Sequence, residues 1–268
     1  MSSSSGSLMT PDGLSLLTRH WGTRDARAAM LIVHGVSEHV GRWTHVADFF
    51  VDRGYEVHAY DHRGHGASSG DRIHVDDFNH YVDDLALVVE RVRSELPLVI
   101  YGHSMGGLIA AAYAESDHPQ PAVYVLSAPA LAAEVPAALR AMAKYAGRIL
   151  PGLRLQAPTK GEQLSRDPAV GEAYFADPLV DLKGTARFGA ELFEAMDRTT
   201  ANVHDISVPA LVIHGGDDTL VPPAASAPLA AVDGIDRRVF PGLRHEMHNE
   251  PEAKEVLDFV ASWLDDHV

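Results

Sequence analysis

Cysteine is absent from this chain of 268 residues. That excludes disulfides, zinc–thiolate centres and a thiol nucleophile. Long apolar runs are missing too, and none approaches the ~20 residues that span a bilayer. Basic charge is scarce: 22 Lys and Arg stand against 37 Asp and Glu, a net charge of −15. Such a chain is a poor partner for nucleic acid, and no basic reading surface is evident. The 16 histidines raise the question of metal, but no His-Glu-x-x-His occurs. His245-Glu246-Met247-His248 has the wrong spacing for that site. No metal and no organic cofactor is implied. Residues 1–6 have neither a basic n-region nor an apolar h-region, so they read as a disordered serine-rich tail rather than a secretory signal.

The chain does have apolar residues, 46% of the total, enough for a sizeable core. It also has one informative stretch, Leu98-Val99-Ile100-Tyr101-Gly102-His103-Ser104-Met105-Gly106-Gly107-Leu108-Ile109. An apolar run rich in β-branched residues ends in Gly-x-Ser-x-Gly, and a small-residue helical segment follows at once. That is strand, sharp turn, helix, the nucleophile elbow of an α/β-hydrolase. The turn pushes the Ser104 hydroxyl out at the carboxyl end of a strand. The helix N-terminus behind it favours developing negative charge. Gly66-Ala67-Ser68-Ser69-Gly70 also fits the pentapeptide, but it has no strand before it and no helix after it, so it reads as a polar loop.

The rest of the chain alternates. Strands are expected at residues 14–20, 28–33, 55–60, 122–126 and 210–213, with a last short one from Arg238. Helices are expected at 46–51, 81–96 and 252–264, the last two on a clear 3.6-residue period. This pattern predicts a mostly parallel central sheet with helices on both faces, an α/β-hydrolase fold in a single domain. The alternation fails over about residues 131–200, which have helical composition and no strand signal. That stretch reads as a helical cap inserted over the carboxyl ends of the strands, where open α/β sheets bind ligands.

In this fold the order of catalytic groups is Ser, then acid, then His. The strand at 210–213 runs into Gly215-Gly216-Asp217-Asp218, and the spacing Gly-x-x-Asp-x-x-Val-Pro selects Asp218 over Asp217. After the last strand, His245 comes first in the loop and is the expected base. His248 is the alternative, and His267 lies in the tail. His245 takes the Ser104 proton and Asp218 fixes the imidazole tautomer. The backbone N–H groups of Met105 and Val36 are the expected oxyanion donors; His34-Gly35 also fits a plain strand-end turn, but its position favours the hole.

Six motifs make the chain resemble the bacterial monoacylglycerol lipases of the α/β-hydrolase superfamily. They are His34-Gly35-x-x-Glu38-His39-x-x-Arg42, Asp61-His62-Arg63-Gly64-His65-Gly66, Gly102-His103-Ser104-Met105-Gly106-Gly107, Ser165-Arg166-Asp167-Pro168, Asp177-Pro178-Leu179 and His245-x-x-His248. The resemblance runs from about residue 7 to the C-terminus and includes the cap. It implies cleavage of monoacylglycerols to fatty acid and glycerol through an acyl-enzyme on Ser104. A polar pocket of Glu38, Arg42, Tyr174 and His248 would hold the glycerol. Glu38 and Arg42, four apart, also fit an ion pair that holds the oxyanion loop. Ser37 stands where many relatives have glycine, and Trp43 where many have tyrosine. The same triad would serve a broad carboxylesterase or lysophospholipase, and a silent ligand-binding hydrolase fold is the remote alternative. The resemblance implies a lipid substrate, no protein partner, and a cytoplasmic or membrane-peripheral location.

Within the cap, residues 131–160 carry Arg140, Lys144, Arg148, Arg154 and Lys160 against the single acid Glu134. Arg140, Lys144 and Arg148 share a helix face. Two readings follow. The helix either seeks an anionic lipid interface, or packs its apolar side down on the tunnel and leaves a solvated basic face.

Overall fold

The computed structural model describes residues 3–22, 25–133, 135–156 and 159–268. Eight strands form the central sheet: β1 (Ser3–Met9), β2 (Ser15–Trp21), β3 (Ala28–Val33), β4 (Tyr55–Tyr60), β5 (Leu98–His103), β6 (Val123–Ser127), β9 (Ala210–Gly215) and β10 (Ile235–Phe240). Their order across the sheet is β1-β2-β4-β3-β5-β6-β9-β10. From β4 to β10 all neighbours are parallel, and β1 and β2 close one edge antiparallel. The chain passes from β3 to β4 on one side and then returns to β5 on the other. The switch point therefore lies between β3 and β5, and a crevice opens beyond their carboxyl ends.

Continuous apolar runs make the central strands because both faces are covered. In β3, Ala29, Leu31 and Val33 pack into one core, while Ala28, Met30 and Ile32 pack into the other. The first core contains α2 (Asn79–Val92) and α3 (Met105–Ala114). The second contains α1 (Thr44–Val51) and α8 (Ala253–Asp265). Along α2 the buried residues Val82, Leu85, Val88 and Val89 form the expected stripe.

Between β6 and β9 the chain builds α4 (Ala137–Ile149), β7 (Arg154–Gln156), α5 (Gly161–Leu164), α6 (Pro168–Ala176), β8 (Lys183–Thr185) and α7 (Ala186–Asn202). Three expectations need correction. Residues Ser3–Gly6 are not disordered but belong to β1, paired from Ser3↔Trp21 to Met9↔Ser15. Almost every β1 side chain faces solvent, so backbone pairing alone makes the strand and composition carries no sign of it. The insertion also holds a two-stranded ribbon, β7 with β8, of three residues each, too short to show a period. The last strand starts at Ile235 rather than Arg238, because Ile235 registers on Ala210 although Asp236 points to solvent. Glu134 and Met1–Ser2 lie outside the described residues.

Candidate active site

The elbow forms as its glycines require. Ser104 joins β5 to α3 at φ 54° and ψ −118°, a region in which a non-glycine residue is strained. A Cβ on Gly106 would lie 2.0 Å from the Val33 carbonyl oxygen, and one on Gly102 would lie 2.6 Å from that of Gly106. Only glycine lets α3 sit this close to β5 and β3. The Ser104 N–H donates to Ser127 O at 3.0 Å, and Ala130 N–H donates to Ser104 O at 3.0 Å. Neighbouring backbone thus holds the strained turn.

The loop after β9 turns Asp218 inward. Its Oδ1 accepts the N–H groups of Leu220 (2.8 Å) and Val221 (2.9 Å), and its Oδ2 lies 2.7 Å from His245 Nδ1. His245 Nε2 lies 2.9 Å from Ser104 Oγ. A carboxylate can only accept, so Nδ1 carries the hydrogen and Nε2 is left to accept from the serine. Asp217 is exposed. Burial pushes the Asp218 carboxyl up, but His245 and His214 outweigh it and hold it well below the usual range. Burial pushes the His245 imidazole down, but the Asp218 charge and hydrogen bond outweigh it and raise it.

Beyond β3, Val36 and the N-terminus of α3 face the same cavity. Among the described residues neither the Val36 nor the Met105 N–H has an acceptor. The Gly35 N–H donates to Glu38 Oε1 at 2.5 Å, which ties the loop down. Ser37 sits at φ 60°, which explains a preference for glycine there. The cavity holds about 420 Å³ and is lined mainly by apolar side chains, among them Leu164, Leu182, Phe188, Leu192 and Met196. This is the size of a small-molecule site.

The four residues expected around glycerol divide. Glu38 and Tyr174 line the cavity; Arg42 and His248 do not. Arg42 sits behind it, 3.1 Å from Glu38 Oε2 and bridged to both Glu246 oxygens at 2.7 Å, with Tyr174 on its face at 4.8 Å. His248 is buried and stacks on Trp43 at 4.0 Å between centroids. It is too far inside to serve as the base, because the elbow aims Ser104 at His245. Burial raises the Glu38 carboxyl, whereas Arg42 outweighs burial at Glu246 and lowers it. Sequence reasoning missed Glu246; its place directly after His245 was the available signal.

Other motif residues are structural. Ser68 of the second Gly-x-Ser-x-Gly donates to Asp61 O at 2.6 Å and accepts from Leu17 N–H at 2.8 Å. Arg63 makes two 2.7 Å bonds to buried Asp84. Among the described residues one group, His20, Glu56 and His58, offers potential metal ligands within 4.8 Å of one another. The two rings stack at 4.5 Å instead of converging on a point, and all three residues are half-exposed. They line none of the cavity at Ser104.

The fold is that of an α/β-hydrolase, and the Ser104–His245–Asp218 line gives it the constellation of a serine hydrolase. The family described as "Serine aminopeptidase, S33" matches residues 24–252, and the chain belongs to that family. It is 40% identical to a monoacylglycerol lipase of Mycolicibacterium smegmatis, over 91% of this chain and 90% of that one. It is 32% identical to human monoglyceride lipase, over 96% and 89%. The crystal structure of Paleococcus ferrophilus monoacylglycerol lipase superimposes with a TM-score of 0.87 at 31% identity, over 94% of this chain and 99% of that one.

Proposed function

We propose that the chain hydrolyses monoacylglycerols to fatty acid and glycerol, with Ser104 as nucleophile, His245 as base and Asp218 as its orienting acid. The carrying observation is an apolar cavity that meets a polar end, Glu38 and Tyr174, beside Ser104 Oγ. His245 takes the Ser104 proton as Oγ attacks the ester carbonyl. The N–H groups of Val36 and Met105 receive the oxyanion, and each such donor is worth ~10²–10³ in kcat. Protonated His245 gives its proton to the departing glycerol oxygen. Water then repeats the sequence on the acyl-enzyme and releases the fatty acid. The acyl chain occupies the apolar cavity, and Glu38 and Tyr174 meet the glycerol hydroxyls.

An aminopeptidase would need uncompensated carboxylates for the substrate ammonium. Glu38 and Glu246 share the single cation Arg42, and burial raises the Glu38 carboxyl toward its neutral form, which disfavours that activity.

We further propose that the insertion, residues 131–200, acts as the cap and that α4 carries peripheral contact with a lipid surface. No helix among the described residues is long and apolar enough to cross a membrane. On α4 the apolar face points outward: Leu139, Met142, Tyr145 and Ile149 are 52%, 64%, 69% and 59% exposed. Two of its cations point the other way, since Arg140 and Lys144 both pair with Asp197 of α7. This overturns the reading of α4 as apolar side down with a solvated basic face. These observations support a peripheral, interfacial location.

The decisive assay is kcat/KM on a monoacylglycerol and on the methyl ester of the same acid. Strong preference for the glyceride supports the polar end as a glycerol site. Equal rates make the enzyme a general carboxylesterase.

A further inference from the structure

We propose that Glu250 is a positioning residue for His245, and that residues 161–166 of the insertion form one unit with the loop that carries this base. The inference rests on the reading of His245 as the base. Glu250 follows His245 by five residues, and its side chain is wholly excluded from solvent. One oxygen faces the base loop: Oε1 accepts the Arg244 N–H at 2.7 Å. The other faces the insertion: Oε2 accepts from Ser165 Oγ (3.2 Å), Arg166 N–H (3.0 Å) and Arg166 Nε (3.2 Å). A single carboxylate therefore joins the residue before His245 to the residues between α5 and α6.

The seam continues on both sides of Glu250. Glu246 N–H donates to Leu164 O at 2.8 Å, and His245 N–H donates to Gln163 O at 3.4 Å. Ser165 Oγ also lies 2.9 Å from Asn249 O, so its single hydrogen serves either that carbonyl or Glu250 Oε2. The Arg244 guanidinium donates to the carbonyls of Glu162 and Ser165. Gln163 Nε2 lies 3.2 Å from Thr219 Oγ1, next to the acid Asp218. Residues 244, 245, 246 and 249 are thus held by four residues, 162–165, that the chain inserts some eighty positions earlier.

The physical reason for a carboxylate here is the number of donors. Two backbone N–H groups, a hydroxyl and a guanidinium converge on one buried point, and only a carboxylate accepts from all of them. Without it the backbone N–H groups of Arg244 and Arg166 lose their acceptor, whereas Ser165 keeps Asn249 O and the part-exposed Arg166 guanidinium keeps Glu252. The His245 loop then keeps its fold but loses its register against Ser104, and a displacement of 1 Å at a reacting group costs ~10²-fold.

The test compares Glu250→Ala, Glu250→Gln and Ser165→Ala with the parent chain. Three quantities are read: kcat and KM on a soluble short-chain ester, the rate of Ser104 labelling by a fluorophosphonate, and thermal midpoint. For Glu250→Ala, kcat and labelling rate fall together by about 10–100-fold with KM within about threefold. Glu250→Gln, which keeps both side-chain positions but trades one acceptor for a donor, recovers part of the loss. Ser165→Ala, a milder break of the same seam, lowers both rates by a few fold, and it decides the matter if Glu250→Ala does not fold. Hydrogen exchange at residues 161–166 and 244–249 rises in concert. A lower thermal midpoint with unchanged kcat and labelling rate overturns the proposal and leaves Glu250 a purely structural group. His245→Ala is the separate control. If it keeps full activity and labelling, the base is misassigned, whatever the Glu250 variants do.

Discussion

Two parts of the insertion make a useful contrast. Helix α4 packs on α7, holds Arg140 and Lys144 against Asp197, and turns its large apolar side chains to solvent. The segment from Gly161 to Ala176 does the opposite. It buries Leu164 and Tyr174, and its polar groups are spent on the loop of His245. Both have helical composition, and both lie between the same two strands. The difference teaches that one insertion can hold two kinds of part. One belongs to the catalytic end of the sheet, and the other faces whatever lies outside.

Changes at the chemical end should damage every substrate alike, and changes on α4 only those met at an interface. The largest effect is expected from Ser104→Ala. Hydrolysis of soluble and lipid esters should fall by ~10⁴–10⁶-fold, and fluorophosphonate labelling should vanish. Residual labelling at another serine would break the assignment.

Asp218→Asn should lower kcat by ~10⁴-fold, because the amide favours the wrong imidazole tautomer. It should also move the pH profile. His245 must be neutral to act as base, and Asp218 raises its pKa. The acid limb of kcat/KM in the parent chain should therefore lie above the ordinary histidine value of about 6.5. Activity should rise with pH through that point. In the variant burial is opposed only by the Glu246 and Glu38 carboxylates, so the limb should move to lower pH; a limb that stays put would contradict the pairing.

A smaller, substrate-dependent effect is expected from Glu38→Gln. The amide oxygen can still accept the Gly35 N–H, although its NH2 then faces the Arg42 and Trp43 donors that Oε2 accepts. The carboxyl group facing the cavity is lost. We expect kcat/KM on a monoacylglycerol to fall by about tenfold and that on the methyl ester by about twofold or less. Equal losses would assign Glu38 to the loop alone.

The smallest effect on chemistry, and the sharpest separation of the two parts, is expected from Met142→Ser with Tyr145→Ser on α4. The kcat/KM on a soluble short ester should stay within about twofold. Turnover of monoacylglycerol carried in phospholipid vesicles should drop by about tenfold or more, as buried apolar area at the interface is lost. Equal activity on both would leave α4 without an interfacial role.

Much of this was legible beforehand, for reasons specific to each element. The elbow at Ser104 was readable because strand, glycine turn and helix are contiguous. That Asp218 and His245, the proposed acid and base, meet Ser104 was readable because each lies just past a strand end, where sheet topology delivers it to the same edge. β1 was not readable, since a solvated serine strand has no apolar period. β7 and β8 were too short. Arg42 and His248 were placed at the cavity by resemblance, but packing puts both behind it. Glu246 engages Arg42 from the far end of the chain, 204 positions away, and no sequence window contains both.

The sequence by itself determined most of the elements and named the candidate reacting groups. Alternation of apolar runs specifies a parallel sheet, two glycines specify a tight elbow, and chain order assigns serine, acid and base. These are local or periodic properties, written within a few residues of where they act. The tertiary structure alone decided which way α4 faces, which side chains border the cavity, and that Glu250 joins the base loop to residues 161–166. Those are contacts across roughly 50 to 200 positions of chain. They depend on how layers close on one another, and no spacing along the backbone records that.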